Sequence, residues 1–358
     1  MKYGVVIGRM NPVHLGHIQL IKQAMADNGH VIVILGSCNQ VITPVNPFTQ
    51  TERAALIRSY FTDDMNALIN IRFASDFIYS DLDWLQNVYS LVEEASRPKI
   101  RTFAPVTCEY TLYGCKKDES TAKYLTQLQN WKWKTVFSEP YAIGEGKSRL
   151  VLSSTYIRDV LFLNGLFGLS NPVLQECYNE DQLEVFSKWI NSPAFHALQQ
   201  DYDYYKSYKK SWETAPFAPV FVTGDAVVIC NGYVLIIQRK GPPGKDTYAL
   251  PGGFLNQNET VKQCILRELE EETKIDVPPK KLENCLRRIE VFDAPNRSLR
   301  GRTITHAGLI VLEEKTLPKI KAADDAATAR WISLADVSKF QSRFFEDHFH
   351  ILTTLQSI

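Results

Sequence analysis

"YGVVIGRMNPVHLGH", Tyr3 to His17, decides the reading of the N-terminal half. It begins with an unbroken apolar run through Ile7, as expected of a parallel strand covered on both faces. Gly8 ends the strand, Pro12 fixes the turn, and a helix is expected to start near His14. In an open α/β sheet, the crevice beyond the carboxyl end of a strand is where ligands bind. A helix start there offers free N–H groups and the positive end of a dipole to phosphate. His14 and His17 stand one turn apart and add donors on the same side. Gly16 would let backbone approach a ligand closely. The plainer alternative is two polar residues on an exposed first turn; the apolar strand and the Gly8-Arg9 pair ahead of them argue against it.

Outward from this stretch, strands and helices alternate. "HIQLIKQAMADNG" spaces Ile18, Ile21 and Met25 as a helix and stops at Asn28-Gly29, and "HVIVILGS" is the next buried strand. "TERAALIRSYF" and "DWLQNVYSLVEEA" read as helices, "TLYGC" and "KTVFSE" as strands, and "SSTYIRDVLFLNG" as a helix. Such alternation predicts a doubly wound parallel sheet. From about Asn179 to Trp212 the chain becomes helical, polar and rich in tyrosine; after "APFAPV" it turns β-rich, with a hairpin expected at Asn231-Gly232. The expected fold class is therefore α/β: a doubly wound domain over 1–182, a helical connector over 183–212, and an α+β domain over 213–358 with a mixed sheet sandwiched by helices.

Composition sets limits on function. Forty basic and forty acidic residues cancel in 358, so no global positive surplus drives nucleic-acid binding and any anion site is local. The seven cysteines are scattered, form no CxxC and are odd in number, which reads as reduced thiols in a cytoplasmic protein. No apolar stretch reaches membrane-spanning length and no signal-peptide core stands at the N-terminus. Oligomeric state is left open, a homo-oligomer included.

"GRMNPVHLGH" taken with "SSTYIR" (Ser153 to Arg158) resembles the paired signature of the HxGH nucleotidyltransferases. "NPFTQTER" (Asn46 to Arg53), "DLDWL" around Trp84 and "GCKKDES" (Gly114 to Ser120) narrow the resemblance to the archaeal-type nicotinamide mononucleotide (NMN) adenylyltransferases. It implies that NMN phosphate attacks the α-phosphorus of ATP, giving NAD and pyrophosphate. The ATP site would comprise Gly8, Arg9, Met10, His14, His17, Ser153, Ser154, Thr155 and Arg158. His14, His17 and Arg158 would carry the chemistry by holding phosphates. Trp84 would stack on the nicotinamide ring, with Asp76 or Asp81 at its amide; a half-buried packing aromatic is the alternative for Trp84. Nicotinate mononucleotide, or another phosphate acceptor such as phosphopantetheine, stays open. "IGEGKSR" ends like a Walker loop, but Tyr141 stands where that pattern needs glycine, so it reads as a polar loop.

The second half carries "GGFLNQNETVKQCILRELEEETKI", Gly252 to Ile275. At about 100° per residue, Val261, Ile265 and Leu269 form a buried stripe. Glu268 and Glu272 fall beside that stripe and Glu271 just beyond, whereas Glu270 and Lys274 face outward. Three like charges in one helical turn are mutually unfavourable and costly to bury unless a cation compensates. Oxygen-only ligands suit magnesium or manganese. A solvated acidic face accounts for Glu270 alone.

This stretch resembles the Nudix box, with Gly253, Glu259, Arg267, Glu268, Glu271 and Glu272 in place and Lys274 where the family has glycine. The resemblance implies metal-dependent hydrolysis of a nucleoside diphosphate derivative, with Glu268, Glu271 and Glu272 as metal ligands and Glu271 and Glu272 catalytic. Arg267 would pair with Glu259 or a neighbouring carboxylate. "DAPNRSLRGRTITHAG" (Asp293 to Gly308) and "KAADDAATARW" (Lys321 to Trp331) resemble the ADP-ribose-hydrolysing branch, whose products are AMP and ribose 5-phosphate. Arg297, Arg300 and Arg302 are candidates for phosphate or ribose, and Asp324 or Asp325 for orienting water. The whole reads as a bifunctional enzyme of NAD metabolism with Mg2+ or Mn2+ at both sites and ATP, NMN and ADP-ribose as small-molecule substrates. The competing reading makes the second half an ADP-ribose sensor, or a hydrolase of another nucleoside diphosphate derivative.

Overall fold

The computed structural model describes residues 1–97, 107–115, 125, 128–145 and 149–356. The chain divides into two compact units, Met1–Gln199 and Gln200–Ile358. The expected connector consists of the helices Glu180–Ile190 and Pro193–Lys210, and the division falls inside the second.

The first unit is built on β1 (Lys2–Gly8), β2 (His30–Cys38), β3 (Ile69–Ser75), β4 (Glu109–Cys115) and β5 (Lys134–Ser138), all parallel, in the order β3-β2-β1-β4-β5. From β1 the chain moves outward to β2 and β3, then returns to place β4 on the other side of β1. The strand order therefore reverses between β1 and β4, where a crevice opens at their carboxyl ends. Both faces are covered. Ile18, Ile21 and Ala24 of the helix Leu15–Asn28 join Val6, Val33 and Leu35 in one apolar cluster, with Ile57 of the helix Gln50–Arg58. Val88 and Val92 of the helix Asp81–Ser96 pack with Val5, Ile32, Ile34 and Leu112 on the other.

Two short strands follow, β6 (Ala142–Ile143) and β7 (Leu150–Val151), and then the helix Ser154–Asn164. In the second unit come β8 (Val220–Cys230), β9 (Tyr233–Arg239), β10 (Tyr248–Ala249), β11 (Gly252–Phe254), β12 (Leu286–Phe292), β13 (Arg302–Leu312) and β14 (Ala326–Ser333). The sheet is mixed: β13 runs parallel to β8, while the β8–β9, β11–β8, β12–β13 and β14–β9 pairs are antiparallel. The β8–β9 hairpin turns at Asn231-Gly232, both at positive φ (47° and 79°), as a tight two-residue hairpin requires. Ile265 and Leu269 of the helix Val261–Thr273 seal one face against Ala226, Val228 and Ile310. Lys274, the departure from the family glycine, takes the left-handed conformation itself (φ 40°, ψ 42°), and its N–H closes the helix on the Glu270 carbonyl at 2.9 Å. Lysine thus fills a cap that glycine fills with less strain.

Candidate functional site

The first crevice begins with two histidine rings used as a helix cap. His14 is the N-cap of the helix Leu15–Asn28: its Nδ1 accepts from Gly16 N–H at 3.2 Å, and His17 Nδ1 accepts from His14 N–H at 3.2 Å. With both Nδ1 atoms accepting, the neutral rings carry their proton on Nε2 and present it as a donor. The ring centroids are 3.8 Å apart. A Cβ at Gly16 would lie 3.0 Å from Tyr141 Cβ and 3.1 Å from His14 Cε1, so glycine here also makes room for its protein neighbours. His14, Gly16 and His17 line a cavity of about 280 Å³ with Gly8 and Arg9 from the end of β1 and Gly114 and Cys115 from the end of β4. That is the point where the strand order reverses.

The loop between β1 and the helix is held by buried polar residues. Arg158 donates to the Asn11 carbonyl at 2.6 Å and to Thr155 Oγ1 at 3.1 Å. Burial, and then the charge of Arg9, lowers its pKa to about 10. Ser153 caps the helix Ser154–Asn164 through the Tyr156 N–H at 3.2 Å, and the Ser154 hydroxyl donates to the Pro12 carbonyl at 2.8 Å. Met10 has positive φ (48°) and a buried side chain. The structure thus brings Gly8, Arg9, Met10, His14 and His17 together with Ser153, Ser154, Thr155 and Arg158 around one loop. The pyridine-side candidates lie on other elements. Asp76 Oδ1 accepts the Ser37 N–H at 3.2 Å beyond β2, Asp81 is exposed in the first turn of the helix Asp81–Ser96, and Trp84 is half-buried against the Val88 cluster. Residues 116–120 of "GCKKDES" and 146–148 of "IGEGKSR" lie outside the described residues.

Sequence reasoning missed the role of Arg53. It is 1% exposed, and its guanidinium donates to the carbonyls of Arg9, Gly36 (2.8 Å) and Ser37 (3.3 Å), tying the ends of β1 and β2 together. Asn11 similarly holds Asn46 and the Phe48 carbonyl (3.0 Å). The signal was available: Arg53 sits four residues before Ile57, on the face of its helix that is buried.

In the second unit, Arg267 sits among carboxylates. Its Nε and Nη2 grip Glu259 at 2.9 and 2.7 Å, and its Nη1 reaches Glu268 at 2.7 Å and Glu271 at 2.9 Å. These bonds hold the Glu259 carboxyl down to about 2. Glu272 is different. It is 4% exposed, accepts the Gly252 N–H at 2.9 Å, and its carboxyl is pushed up to about 8 by burial, with the charges of Glu268 and Asp225 adding to the push. Burial likewise raises Glu268. Asp225, 4% exposed on β8, accepts the Thr305 hydroxyl; a charge inside an apolar strand was the unused signal for it. Gly252 and Gly253 bring backbone against this group: a Cβ on Gly253 would stand 2.3 Å from Glu268 Oε1, and one on Gly252 2.1 Å from Asp225 Oδ1.

Among the described residues no three His, Cys, Asp or Glu side chains already stand as a metal-ligating group. The hydrogen bonds above account for this, since Arg267 draws Glu268 and Glu271 while Glu272 turns to Gly252. The donor set nonetheless fits a hard divalent cation. It is all oxygen, two of its carboxylates are held above their ordinary pKa by burial, and a divalent charge would relieve both the burial and the repulsion.

The arginines of the 293–308 stretch separate. Arg297, weighed as a phosphate or ribose ligand, is 6% exposed and paired bidentately with buried Asp347 at 2.7 and 2.8 Å, so its charge is spent inside the protein. Arg302 turns to the Asp293 carbonyl and carboxylate. Arg300 lies over the Phe254 ring, with its Nη2 3.6 Å from Glu346 Oε2. Asp324 and Asp325 are exposed; the Asp325 carbonyl accepts the Lys240 N–H at 3.0 Å.

Comparison with known proteins agrees with this division. Residues 5–160 match a Cytidylyltransferase-like family model and residues 221–355 a NUDIX domain model. An ADP-ribose pyrophosphatase of Methanocaldococcus jannaschii is 32% identical over 118 residues, 33% of this chain and 64% of that protein. A nicotinamide/nicotinic acid mononucleotide adenylyltransferase of Acinetobacter baylyi is 26% identical over 200 residues, 56% of this chain and 93% of that protein. A crystal structure from Francisella tularensis, of a bifunctional NMN adenylyltransferase/ADP ribose pyrophosphatase complexed with AMP and a manganese ion, is 32% identical, covers 99% of this chain and 98% of its own, and superposes with a TM-score of 0.85. With both domains matched end to end, the chain belongs to the bifunctional NMN adenylyltransferase/ADP-ribose pyrophosphatase family.

Proposed function

We propose that this protein joins ATP and NMN into NAD and pyrophosphate at the first crevice and hydrolyses ADP-ribose to AMP and ribose 5-phosphate at the second. The observation that carries the first activity is the pair of imidazoles whose Nδ1 atoms serve a helix start and whose rings line one cavity with Arg9. Adenylyl transfer asks the protein mainly to align two anions and neutralise charge that develops on the leaving pyrophosphate. His14 and His17 supply donors, the cap of the helix Ser154–Asn164 supplies N–H groups, and Arg158 supplies a positive charge already fixed by Asn11 and Thr155. Trp84, with Asp76 or Asp81, is our candidate for the pyridine ring and its amide.

For the second activity, Glu268, Glu271 and Glu272 would hold magnesium or manganese, and Gly252 and Gly253 let the backbone pack directly against Asp225 and Glu268. A bound divalent cation polarises the diphosphate and lowers the pKa of a water nucleophile. Arg267 keeps its two bonds to Glu259 and so fixes the loop ahead of the helix. Among the described residues no helix is long and apolar enough to cross a membrane. The test is product analysis of the purified chain, with ATP plus NMN in one reaction and ADP-ribose in another, each with magnesium, manganese or chelator. NAD in the first and metal-dependent AMP in the second are expected; binding of ADP-ribose without cleavage would instead mark the second site as a sensor.

A further inference from the structure

The loop between β1 and the helix Leu15–Asn28 is tied down by its carbonyl oxygens. Arg53 donates to that of Arg9, Arg158 to that of Asn11 at 2.6 Å, the Ser154 hydroxyl to that of Pro12 at 2.8 Å, and the Tyr178 hydroxyl to that of Val13 at 2.6 Å. Arg53, Ser154 and Arg158 belong to the signature stretches; Tyr178 belongs to none of them. It closes the helix Pro172–Cys177 with its own N–H on the Leu174 carbonyl at 2.9 Å, and its ring meets Phe186 edge-on at 4.8 Å between centroids. Tyr178 is 3% exposed and Val13 is fully buried. Burial also holds the hydroxyl well above its ordinary pKa, so it stays a donor throughout the working range of pH.

The bond matters because of what shares its peptide. The Val13 carbonyl and the His14 N–H are opposite ends of one planar unit. That N–H donates to His17 Nδ1 at 3.2 Å, so the plane is held at both ends, by a donor on its oxygen and an acceptor on its nitrogen. Fixing the plane fixes the direction of the N–H, and with it the ring and the tautomer of His17. The two bonds reinforce each other, since a donor on a carbonyl polarises the amide and strengthens its N–H. Without the hydroxyl, the buried Val13 carbonyl loses this donor and the peptide turns to recover one. The N–H then leaves His17 Nδ1, and either ring nitrogen can carry the proton.

We propose that Tyr178 is a positioning residue for adenylyl transfer: through the Val13–His14 peptide it sets the ring of His17 for the phosphates of ATP. This rests on the adenylyltransferase reading of the first crevice.

The test uses the full chain with isotope-labelled imidazole nitrogens, read by NMR without ligand. In the parent, His17 should carry its proton on Nε2. Y178F keeps the ring against Phe186 and removes only the donor, so His17 should become a mixture of tautomers. For NAD formation by Y178F, kcat should fall about tenfold or more while KM for ATP and for NMN stays within about twofold. Y60F is the control for a lost buried bond: the Tyr60 hydroxyl donates to the Cys177 carbonyl at 2.6 Å, next to Tyr178 and off the loop. It should leave the His17 tautomer as in the parent and kcat within about twofold. If Y178F misfolds, 3-fluorotyrosine in place of Tyr178, a stronger donor of nearly the same shape, should shift the His17 Nδ1 resonance, whereas the same replacement of Tyr60 should not. A parent His17 protonated on Nδ1, a tautomer or resonance indifferent to position 178, or equal losses of kcat in Y178F and Y60F would each overturn the relay. So would a Y178F kcat within about twofold of the parent. A parent chain whose His17 tautomer responds to Y178F but which makes no NAD would uphold the relay and overturn the adenylyltransferase reading.

Discussion

Glu272 offers the sharpest quantitative test. Its carboxyl ordinarily titrates near 4.5 and here is pushed up to about 8. In metal-free protein between those values, the unfolded chain has lost this proton while the folded chain keeps it. Stability therefore falls as pH rises, by about 1.4 kcal/mol per pH unit, and levels off above about pH 8. Over that window the loss amounts to about 3–5 kcal/mol. Glu272→Gln keeps an oxygen for the Gly252 N–H and removes the charge. In chelator the variant should therefore be more stable than the parent by about 3–5 kcal/mol at pH 8 and by only about 1 kcal/mol at pH 5.5. Hydrogen exchange of peptides covering 261–273 across a urea series reads this unit alone. With saturating manganese the order should reverse, since the parent gains the binding energy of the ion. A variant no more stable than the parent at pH 8 in chelator would refute the reasoning, because Glu272 would then be carrying its charge without cost.

Other perturbations are simpler. Lys274→Gly should stabilise the second unit by about 0.5–1 kcal/mol by relieving φ 40°, measurable in the same exchange series. His17→Ala should lower NAD formation at least a hundredfold and leave ADP-ribose cleavage within twofold, when both are assayed on one preparation. Arg53→Met should destabilise the first unit by about 3–5 kcal/mol, because the carbonyls of Arg9, Gly36 and Ser37 lose their donor in a buried setting; urea unfolding followed by exchange of peptides in 1–97 checks it.

Much of this architecture can be read from pattern alone, and the exceptions have physical causes. β1 and β2 are buried on both faces and therefore continuous in apolar residues, and the β8–β9 hairpin announces itself through Asn231-Gly232. β3 escapes such a reading. It lies at the sheet edge, and "INIRFAS" mixes Asn70 and Arg72 into its run because one side of it meets solvent. "AATARWIS" hides β14 for the same reason, with several partly exposed positions among its eight. At the sites, short-range pattern places His14 and His17 at one helix start and Glu268, Glu271 and Glu272 along one helix. It failed for Arg53 and Asp225, whose partners are distant in sequence, and for Arg297, whose burial against Asp347 depends on a residue fifty positions away.

The double duty of the paired imidazoles has a consequence for how such a crevice can change. The ring atoms that begin the helix and the ring atoms that face the cavity belong to the same two side chains. Asparagine at position 14 would still begin the helix, being among the best residues for that purpose, yet it would offer a shorter, reoriented donor. One nucleotide substitution away from turnover, then, lies a folded shell able to retain its ligands, and a descendant could drift from synthesis to recognition without passing through an unfolded ancestor.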